Sequence, residues 1–390
     1  MTNLIEILNS INNSYWIEII APWITYWQWE SLSNSNLIFN NDFKGFNLIK
    51  KGPKEIQYIA LPPELTSYYR GIDFRYIASY KFGEEISKFA QLMVDKFPSN
   101  NLIMLYNNIN ELKIKTFDEV DNDKKESLKN LIFKRGSKTL SAASYSDAFN
   151  TISIPKVGGE IYLPHELFHM ATNFKSKEKN VRFCGFSQKQ LNIPQIIGTG
   201  INEGYTELMV KKYYGDDYLS SAASYTLLFK IMEVIESIVG KEKMENYYLN
   251  ANLNGLVNEL TKYAKYDDVL KFISSMDFLY NNFDEFSIKS KKNQQLLSEQ
   301  VKFINTFIIT IGTNKPIKQL SNNEITVDQL IPFIAENCLK LFDFKLGEKE
   351  YKTSPSGEQL QSMIISLLKN QGIEADLKTN VQEETDKMRR

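Results

Sequence analysis

The stretch GEIYLPHELFHMATN, residues 159–173, decides how the rest of the chain is interpreted. It contains both histidines of the sequence, His165 and His169, which enclose Glu166 in the pattern H-E-x-x-H. On a helix, residues four apart stand one above the other, so both imidazoles would project from one face and could hold one metal ion. Glu166 would then lie near the open position of that metal. We predict a helix here, with Pro164 in its first turn, where a backbone N–H has no intrahelical acceptor to lose.

A chance occurrence of this motif, with histidines that only cap or pack, is the alternative, and a second segment argues against it. Catalytic zinc takes three protein ligands and keeps a fourth position for water. Because the chain has no third histidine, the third ligand must be Asp, Glu or Cys. Residues 198–210, GTGINEGYTELMV, predict a helix with Glu203 and Glu207 four apart on one face. One carboxylate could bind zinc while the other accepts the free ring N–H of a ligand histidine.

These segments resemble the gluzincin metallopeptidases, with thermolysin-like enzymes as the nearest pattern. Residues 165–174, HELFHMATNF, are similar to the family's H-E-L-x-H-x-x-T-D-Y, and residues 201–207, INEGYTE, are similar to its I-N-E-x-x-S-D. A weaker likeness lies at residues 147–150, DAFN, which resemble the N-A-F-W of the strand that pairs with substrate. The family's pattern also includes a downstream histidine that stabilises the oxyanion, and this chain has no histidine after His169.

The resemblance implies a zinc-dependent peptidase with a role for each matched residue. Zinc would be held by His165, His169 and Glu203. Glu166 would accept a proton from the attacking water and pass it to the leaving amine. The residues implied to support the ligands are Glu207 and Asn202, and those implied to lie on a substrate edge strand near residues 148–154 are Ala148, Phe149 and Asn150.

The oxyanion donor must be a residue other than histidine, and we expect a tyrosine, because the chain has 21 of them. Related gluzincins often take this donor from the helical domain that follows the third ligand. The candidates are Tyr205, Tyr213, Tyr214, Tyr263 and Tyr266.

We expect an α+β fold in which a zincin-like small mixed sheet carries the active-site helix and a mainly helical C-terminal domain follows. Short β-rich runs at 55–61, 101–106 and 150–155 are interleaved with a helical pattern at 83–97. After about residue 160 we expect strands almost to disappear. Amphipathic helices are predicted at 220–239, 251–264, 267–279, 293–311, 326–341 and 358–368.

The predicted organisation has five parts. They are an aromatic-rich N-terminal segment over 1–49, an α/β part over 50–158, the active-site and third-ligand helices over 159–215, a helical domain over 216–373 and a disordered charged tail over 374–390.

Composition excludes several classes of protein. The chain has 46 Lys and Arg against 47 Asp and Glu, so a nucleic-acid partner is not expected. Cys184 and Cys338 could form at most one bridge, which rules out a disulfide framework. The most apolar stretch is shorter than a membrane span needs, so no transmembrane segment is expected. No secretory signal is evident at the N-terminus, which favours the cytoplasm and leaves non-classical secretion open.

We therefore expect a zinc-dependent endopeptidase whose partner is a peptide or protein substrate. An aminopeptidase is the nearest alternative, although no segment predicts a cap for a substrate terminus. A non-catalytic zincin-like regulatory or binding module is a further alternative, and so is an interaction scaffold with an incidental motif. Glu166 argues against the non-catalytic module, because a structural metal site needs no base. The sequence leaves the oligomeric state open.

Overall fold

A computed structural model gives the architecture of the chain. It describes residues 143–147, 149–155, 159–176, 181–190, 196–218, 223–283, 290–338, 340–346 and 349–373, and before residue 143 it describes 17–18, 49–51, 56–58, 112–116 and positions 89, 92, 93, 96 and 108. The chain divides into two compact units, Met1–Phe174 and Lys175–Arg390. The predicted mixture of helices and small sheets is confirmed, and helices dominate the described residues. The strand predicted at 101–106, the tail at 374–390 and nearly all of segment 1–49 lie outside the described residues.

The first unit contains two small sheets. In one, β1 (Ile17–Glu18), β2 (Ile49–Lys51) and β3 (Ile56–Tyr58) pair antiparallel in chain order. The other consists of β4 (Lys113–Thr116), β5 (Ser144–Ser146) and β6 (Thr151–Ile154), in the spatial order β4-β6-β5. Strand β6 runs parallel to β4 and antiparallel to β5, and its Ile152 is fully buried.

This strand order contradicts the predicted substrate edge strand near residues 148–154. Among the described strands β6 is the middle one, and both of its edges already make backbone hydrogen bonds. A peptide can add only to an edge whose N–H and C=O groups are open. Phe149 and Asn150 lie in the turn that leads into β6, and Ala148 lies outside the described residues. Within the described part of this sheet, β5 is at an edge.

Helix α1 (Leu163–Ala171) follows β6 after a 3-10 turn at Glu160–Tyr162. It packs on β5 and β6, and all nine of its residues are buried. The predicted helix is therefore confirmed, with Pro164 in its first turn. Phe168 contacts Phe89 edge to face, with ring centroids 5.3 Å apart. The described residues of the predicted helix at 83–97 are helical at 89, 92 and 93.

Four short strands follow α1 and form a meander in the order β10-β9-β8-β7. Their ranges are β7 (Asn173–Ser176), β8 (Val181–Cys184), β9 (Ser187–Gln190) and β10 (Ile196–Ile197). Two residues, Gly185 and Phe186, join β8 to β9, and Gly185 has φ +53°, a conformation that glycine adopts without strain.

The expectation that strands almost disappear after residue 160 is therefore wrong. Besides this meander, a hairpin near the C-terminus pairs β11 (Phe344–Leu346) with β12 (Lys349–Tyr351). These strands are two to four residues long, and several carry polar sequences such as SQKQ and KEY. Such short runs cannot show the alternation of apolar and polar residues that identifies a strand in a sequence.

The rest of the second unit is helical. Its helices are α2 (Thr199–Tyr214), α3 (Ala223–Val239), α4 (Lys241–Leu249), α5 (Leu253–Leu260), α6 (Tyr266–Asn282), α7 (Lys291–Ser321), α8 (Val327–Cys338) and α9 (Gly357–Asn370). Helix α2 packs against α3 and α6, and α7 packs against α6, α8 and α9. Stacked rings of Phe272 and Phe307, 4.7 Å apart, join α6 to α7.

The six amphipathic helices predicted after residue 216 are confirmed as α3 and α5 to α9, with shifted ends. Helix α7 continues ten residues beyond the predicted end at 311, because Pro316 and Ile317 are buried and the surrounding packing outweighs the weak helix propensity of proline. Helix α4 was not predicted, since only Met244, Tyr248 and Leu249 of its nine residues are buried. Within the described residues, no helix is both long and apolar enough to cross a membrane.

Candidate metal centre

The two histidines project from one face of α1, as their spacing requires. The Nε2 atoms of His165 and His169 lie 2.9 Å apart, and their rings are inclined by 74°. Two imidazole nitrogens come this close only when one donates a proton to the other or when both lone pairs face one cation. The observed spacing is that of a hydrogen bond between the two rings. With Zn–N distances of about 2.0–2.1 Å, two nitrogens on a tetrahedral ion lie about 3.3 Å apart, so a shared zinc ion requires a slightly wider separation.

A hydrogen-bond network fixes the C-terminal end of α1. The Asn108 side-chain amide donates to the carbonyl oxygens of Met170, at 2.8 Å, and Asn173, at 2.6 Å. The Asn173 amide in turn donates to the Tyr145 hydroxyl at 2.7 Å. His169 lies one residue before this anchored end. Asn108 belongs to no motif, so nothing in the sequence marks it as a partner of residues more than 60 positions away.

Asn150, which was expected to contact substrate, belongs to the same network. Its side-chain amide donates to the carbonyl oxygen of Asn108 at 2.6 Å, and its Oδ1 accepts from the Tyr145 hydroxyl at 2.9 Å. Its φ of +47° is one that asparagine tolerates better than most residues do. Its hydrogen bonds make it part of the support for α1. Phe149 beside it is 57% exposed.

Glu203 lies in the second turn of α2, one residue after Asn202. Glycine at the N-cap, Gly198, lets the chain enter this helix with φ +81°. The Oδ1 atom of Asn202 accepts the backbone N–H of Phe186 at 2.9 Å, which ties α2 to the β8–β9 turn. Glu207, one turn further along, is 3% exposed.

Three of the predicted site residues come together in the structure. One ligand atom from each of His165, His169 and Glu203 lies within 4.8 Å of the other two. Both histidines are buried and Glu203 is partly exposed. Two imidazole nitrogens and a carboxylate oxygen form a donor set that suits a divalent transition metal. This group could hold a metal ion.

The predicted base, Glu166, follows His165 in the first turn of α1 and is 8% exposed. A carboxylate with so little access to water is stable only if charged or hydrogen-bonding partners compensate its lost hydration. The same holds for Glu207 on α2. At both positions, an ionised carboxylate without such partners would lower the stability of the fold.

Tyr205 is excluded as the oxyanion donor. It is fully buried, and its hydroxyl donates to Oε2 of Glu236 on α3 at 2.6 Å. Burial and the neighbouring Glu236 carboxylate raise the pKa of Tyr205 well above its usual value. A phenol has one proton to donate, and here Glu236 accepts it.

The other four tyrosines remain candidates. Tyr213 and Tyr214, at the end of α2, are partly buried, and this burial raises the pKa of each. Tyr263 is partly buried as well, whereas Tyr266 at the start of α6 is 59% exposed.

A charged cluster behind Tyr205 joins three helices and was not predicted. Lys212 of α2 forms ion pairs with Glu236 of α3 and with Glu245 of α4, the latter at 3.2 Å. All three side chains are less than 15% exposed. The ammonium group also lies 5.3 Å from the centre of the Tyr205 ring. The cluster holds the C-terminal half of α2, the helix that carries Glu203.

Comparison of the chain with protein-family models, with curated proteins and with solved structures found no match. The function therefore has to be inferred from the residues of the site and their arrangement.

Proposed function

We propose that the chain is a zinc-dependent peptidase in which Glu166 is the general base. One observation carries the proposal: ligand atoms of His165, His169 and Glu203 lie within 4.8 Å of one another, and Glu166 is the immediate neighbour of the first ligand. Two histidines and a glutamate are the ligand set of a catalytic zinc site that keeps one position open. A buried base beside such a site has no purpose in a purely structural metal centre.

The chemistry would divide between the metal and the base. Zinc held by these residues would lower the pKa of a water molecule toward about 7 and polarise the scissile carbonyl. Glu166 would accept the proton lost by the attacking water and deliver it to the nitrogen of the leaving amine. Its burial on α1 would keep that proton from exchanging with bulk water during the transfer.

Glu207 would act through a ligand. Its buried carboxylate, one helical turn after Glu203, would accept the free ring N–H of a ligand histidine. This hydrogen bond would fix the tautomer and make the metal-binding nitrogen more basic. It would also compensate the lost hydration of a carboxylate that is 3% exposed.

An endopeptidase fits the sheet better than an aminopeptidase does. Strand β5 is half-buried, lies at an edge of its sheet within the described residues, and packs against α1. An extended peptide could pair with this strand through backbone hydrogen bonds, which place no requirement on a free terminus.

Metal analysis of the purified protein tests the ligand set. We expect one zinc per chain in the wild type, zinc loss in Glu203→Gln, and full zinc content in Glu299→Gln, a control that removes an exposed carboxylate from α7. A wild-type protein that binds no zinc after incubation with the metal would contradict the proposal.

Cleavage assays test the base. Glu166→Gln should keep its zinc and lose cleavage of casein, because the amide cannot accept the proton. A fluorogenic peptide blocked at both ends should be cut by the wild type if the enzyme is an endopeptidase and should resist an aminopeptidase. Equal activity of the wild type and Glu166→Gln would refute the assigned base.

A further inference from the structure

The first turn of α2 has no capping side chain of its own. Its N-cap residue is Gly198, so no side-chain oxygen is present to accept the N–H groups that every helix leaves open at its start. Glu203 follows Gly200 by less than one helical turn. Whatever holds these N–H groups therefore also sets the position from which Glu203 projects.

Asp277 of α6 provides the missing acceptors. Its Oδ2 accepts the backbone N–H of Gly198 at 2.9 Å, and its Oδ1 accepts that of Gly200 at 2.8 Å. Both carboxylate oxygens are therefore used, and the negative charge lies at the positive end of the helix dipole. Asp277 is more than 75 positions downstream of the turn that it caps.

The same turn is in close contact with the backbone of α6. A Cβ atom at Gly200 would lie 2.1 Å from the carbonyl oxygen of Met276, a distance that no real contact allows. The first turn of α2 therefore cannot move toward α6. Moving away from it would break the two hydrogen bonds to Asp277.

We propose that Asp277 is a positioning residue for the metal centre: its two hydrogen bonds to the first turn of α2 fix where Glu203 presents its carboxylate. The inference rests on the proposed function, since it assumes that Glu203 binds metal. A purely structural cap would affect the stability of the second unit and leave the coordination of the metal unchanged. The two roles therefore differ in a measurable way.

Asp277→Asn is the variant that separates them. Asparagine keeps the shape of the side chain but replaces one accepting oxygen with an NH₂ group, which faces a backbone N–H and cannot accept its proton. Residues that orient metal ligands typically change metal affinity about 10-fold to 100-fold when they are removed. We expect zinc to bind Asp277→Asn at least about tenfold more weakly. Asp267→Asn is the matched control, since Asp267 is an exposed acid on the same helix.

The experiment uses the full chain stripped of metal. Zinc is titrated into the wild type, Asp277→Asn and Asp267→Asn in competition with a chromogenic chelator, and the visible absorption of each protein loaded with Co²⁺ is recorded. Weaker zinc binding and a changed cobalt spectrum in folded Asp277→Asn alone would support the positioning role. Wild-type affinity and an unchanged spectrum in that variant would overturn it.

Asp277→Glu covers the case in which Asp277→Asn does not fold. It keeps both oxygens and the charge but displaces them by one methylene group, so folded protein with weakened zinc binding would support the inference, and wild-type binding would overturn it. Loss of folding in both variants would assign Asp277 to stability alone and also overturn it. Failure of the wild type itself to bind zinc would instead refute the proposed function.

Discussion

Tyr205 lies two residues after the proposed third ligand, yet its side chain is used inside the helical unit. Its ring contacts the rings of Phe186 and Tyr248, with centroids 5.4 Å and 5.1 Å away. Its hydroxyl donates a hydrogen bond to Glu236, which Lys212 also contacts. Proximity in sequence to a ligand therefore does not make a tyrosine available to substrate.

Tyr205→Phe should lower stability without lowering catalysis. Removing the hydroxyl leaves the buried Glu236 with one donor fewer, a loss on the order of 1–3 kcal/mol in the free energy of unfolding. Denaturant unfolding would measure that loss, and kcat/KM for a blocked peptide should stay near the wild-type value. A fall in kcat of about 100-fold with unchanged stability is the result expected of an oxyanion donor, and it would contradict this assignment.

The candidate site residues that could be predicted from the sequence are those that a short motif within one helix identifies. His165 and His169 are four positions apart on one helix, and the helix alone brings their imidazoles together. Glu203 was assigned through the INE pattern, which also lies within a single helix. Asn108 binds the end of α1 and Asp277 binds the start of α2, each across more than 60 positions. Each is an ordinary polar residue in its own segment. Only the fold reveals contacts of that kind.

Helices α2 and α6 approach so closely that a single methyl group should separate them. In an ordinary helix interior, Gly→Ala gains roughly 0.5–1 kcal/mol. At Gly200 the new Cβ would clash with the backbone carbonyl of Met276, which cannot rotate away as a flexible side chain could. We therefore expect Gly200→Ala to lose about 1–3 kcal/mol of unfolding free energy, since overpacking outweighs the gain in helix propensity.

Denaturant unfolding of Gly200→Ala checks this expectation. Thr199→Ala, in the same turn and partly exposed, is the control and should stay close to the wild type. If Gly200→Ala proved as stable as the control, α2 and α6 would be able to separate without penalty, and the close contact would not constrain the first turn of α2.

Asp343 closes the open end of the β11–β12 hairpin by binding residues that follow β12. Its Oδ1 accepts the backbone N–H groups of Thr353, at 2.7 Å, and Ser354, at 2.9 Å. Burial acts to raise the pKa of Asp343, but the hydrogen bonds from Ser354 and Thr353 outweigh it and lower the pKa below its ordinary value. An acid whose pKa is lowered by folding stabilises the fold most when it is ionised.

The contribution of Asp343 should therefore depend on pH. It is fully present above the pKa of the unfolded chain, about 3.9, and is lost as the pH falls through the lower pKa of the folded state. The difference in unfolding free energy between the wild type and Asp343→Asn should be large at pH 7 and shrink below pH 4. Urea unfolding at both pH values measures it, and a difference that did not change with pH would show that the charge of Asp343 is not the stabilising feature.

Elements could be predicted where their apolar faces extend over several turns. The long helices of the second unit were predicted because each buries a stripe at helical spacing, as in α9, where Leu360, Ile364 and Leu368 recur four apart. Helix α4 has too few buried residues to show a period, and the strands β7 to β12 are too short to show one. The middle position of β6 in its sheet was equally invisible, because it depends on parallel pairing with β4, which lies far upstream in the sequence.

At the scale of the whole molecule, the charge is nearly balanced, with 46 basic and 47 acidic residues, yet two acids are buried on the helices that carry the candidate site. Glu166 and Glu207 are each less than 10% exposed. Such groups lower stability unless partners compensate them. A bound cation would provide part of that compensation for the acids nearest to it, and the stability of the chain should then depend on metal.

Removal of zinc should lower the melting temperature of the wild-type protein. A ligand that binds only the native state stabilises it by about 2.7 kcal/mol when its free concentration is 100 times Kd, a change that corresponds to several degrees in Tm. Calorimetry before and after dialysis against a chelator, and again after zinc is restored, measures the effect.

The variants make this measurement specific to the site. Glu203→Gln lacks the third ligand, so its Tm should respond to neither treatment, whereas Glu299→Gln should follow the wild type through both. A Tm that fell equally in Glu203→Gln would place the stabilising metal elsewhere in the chain. A wild-type Tm indifferent to chelator and to added zinc would contradict the expectation that a metal held by His165, His169 and Glu203 stabilises the chain.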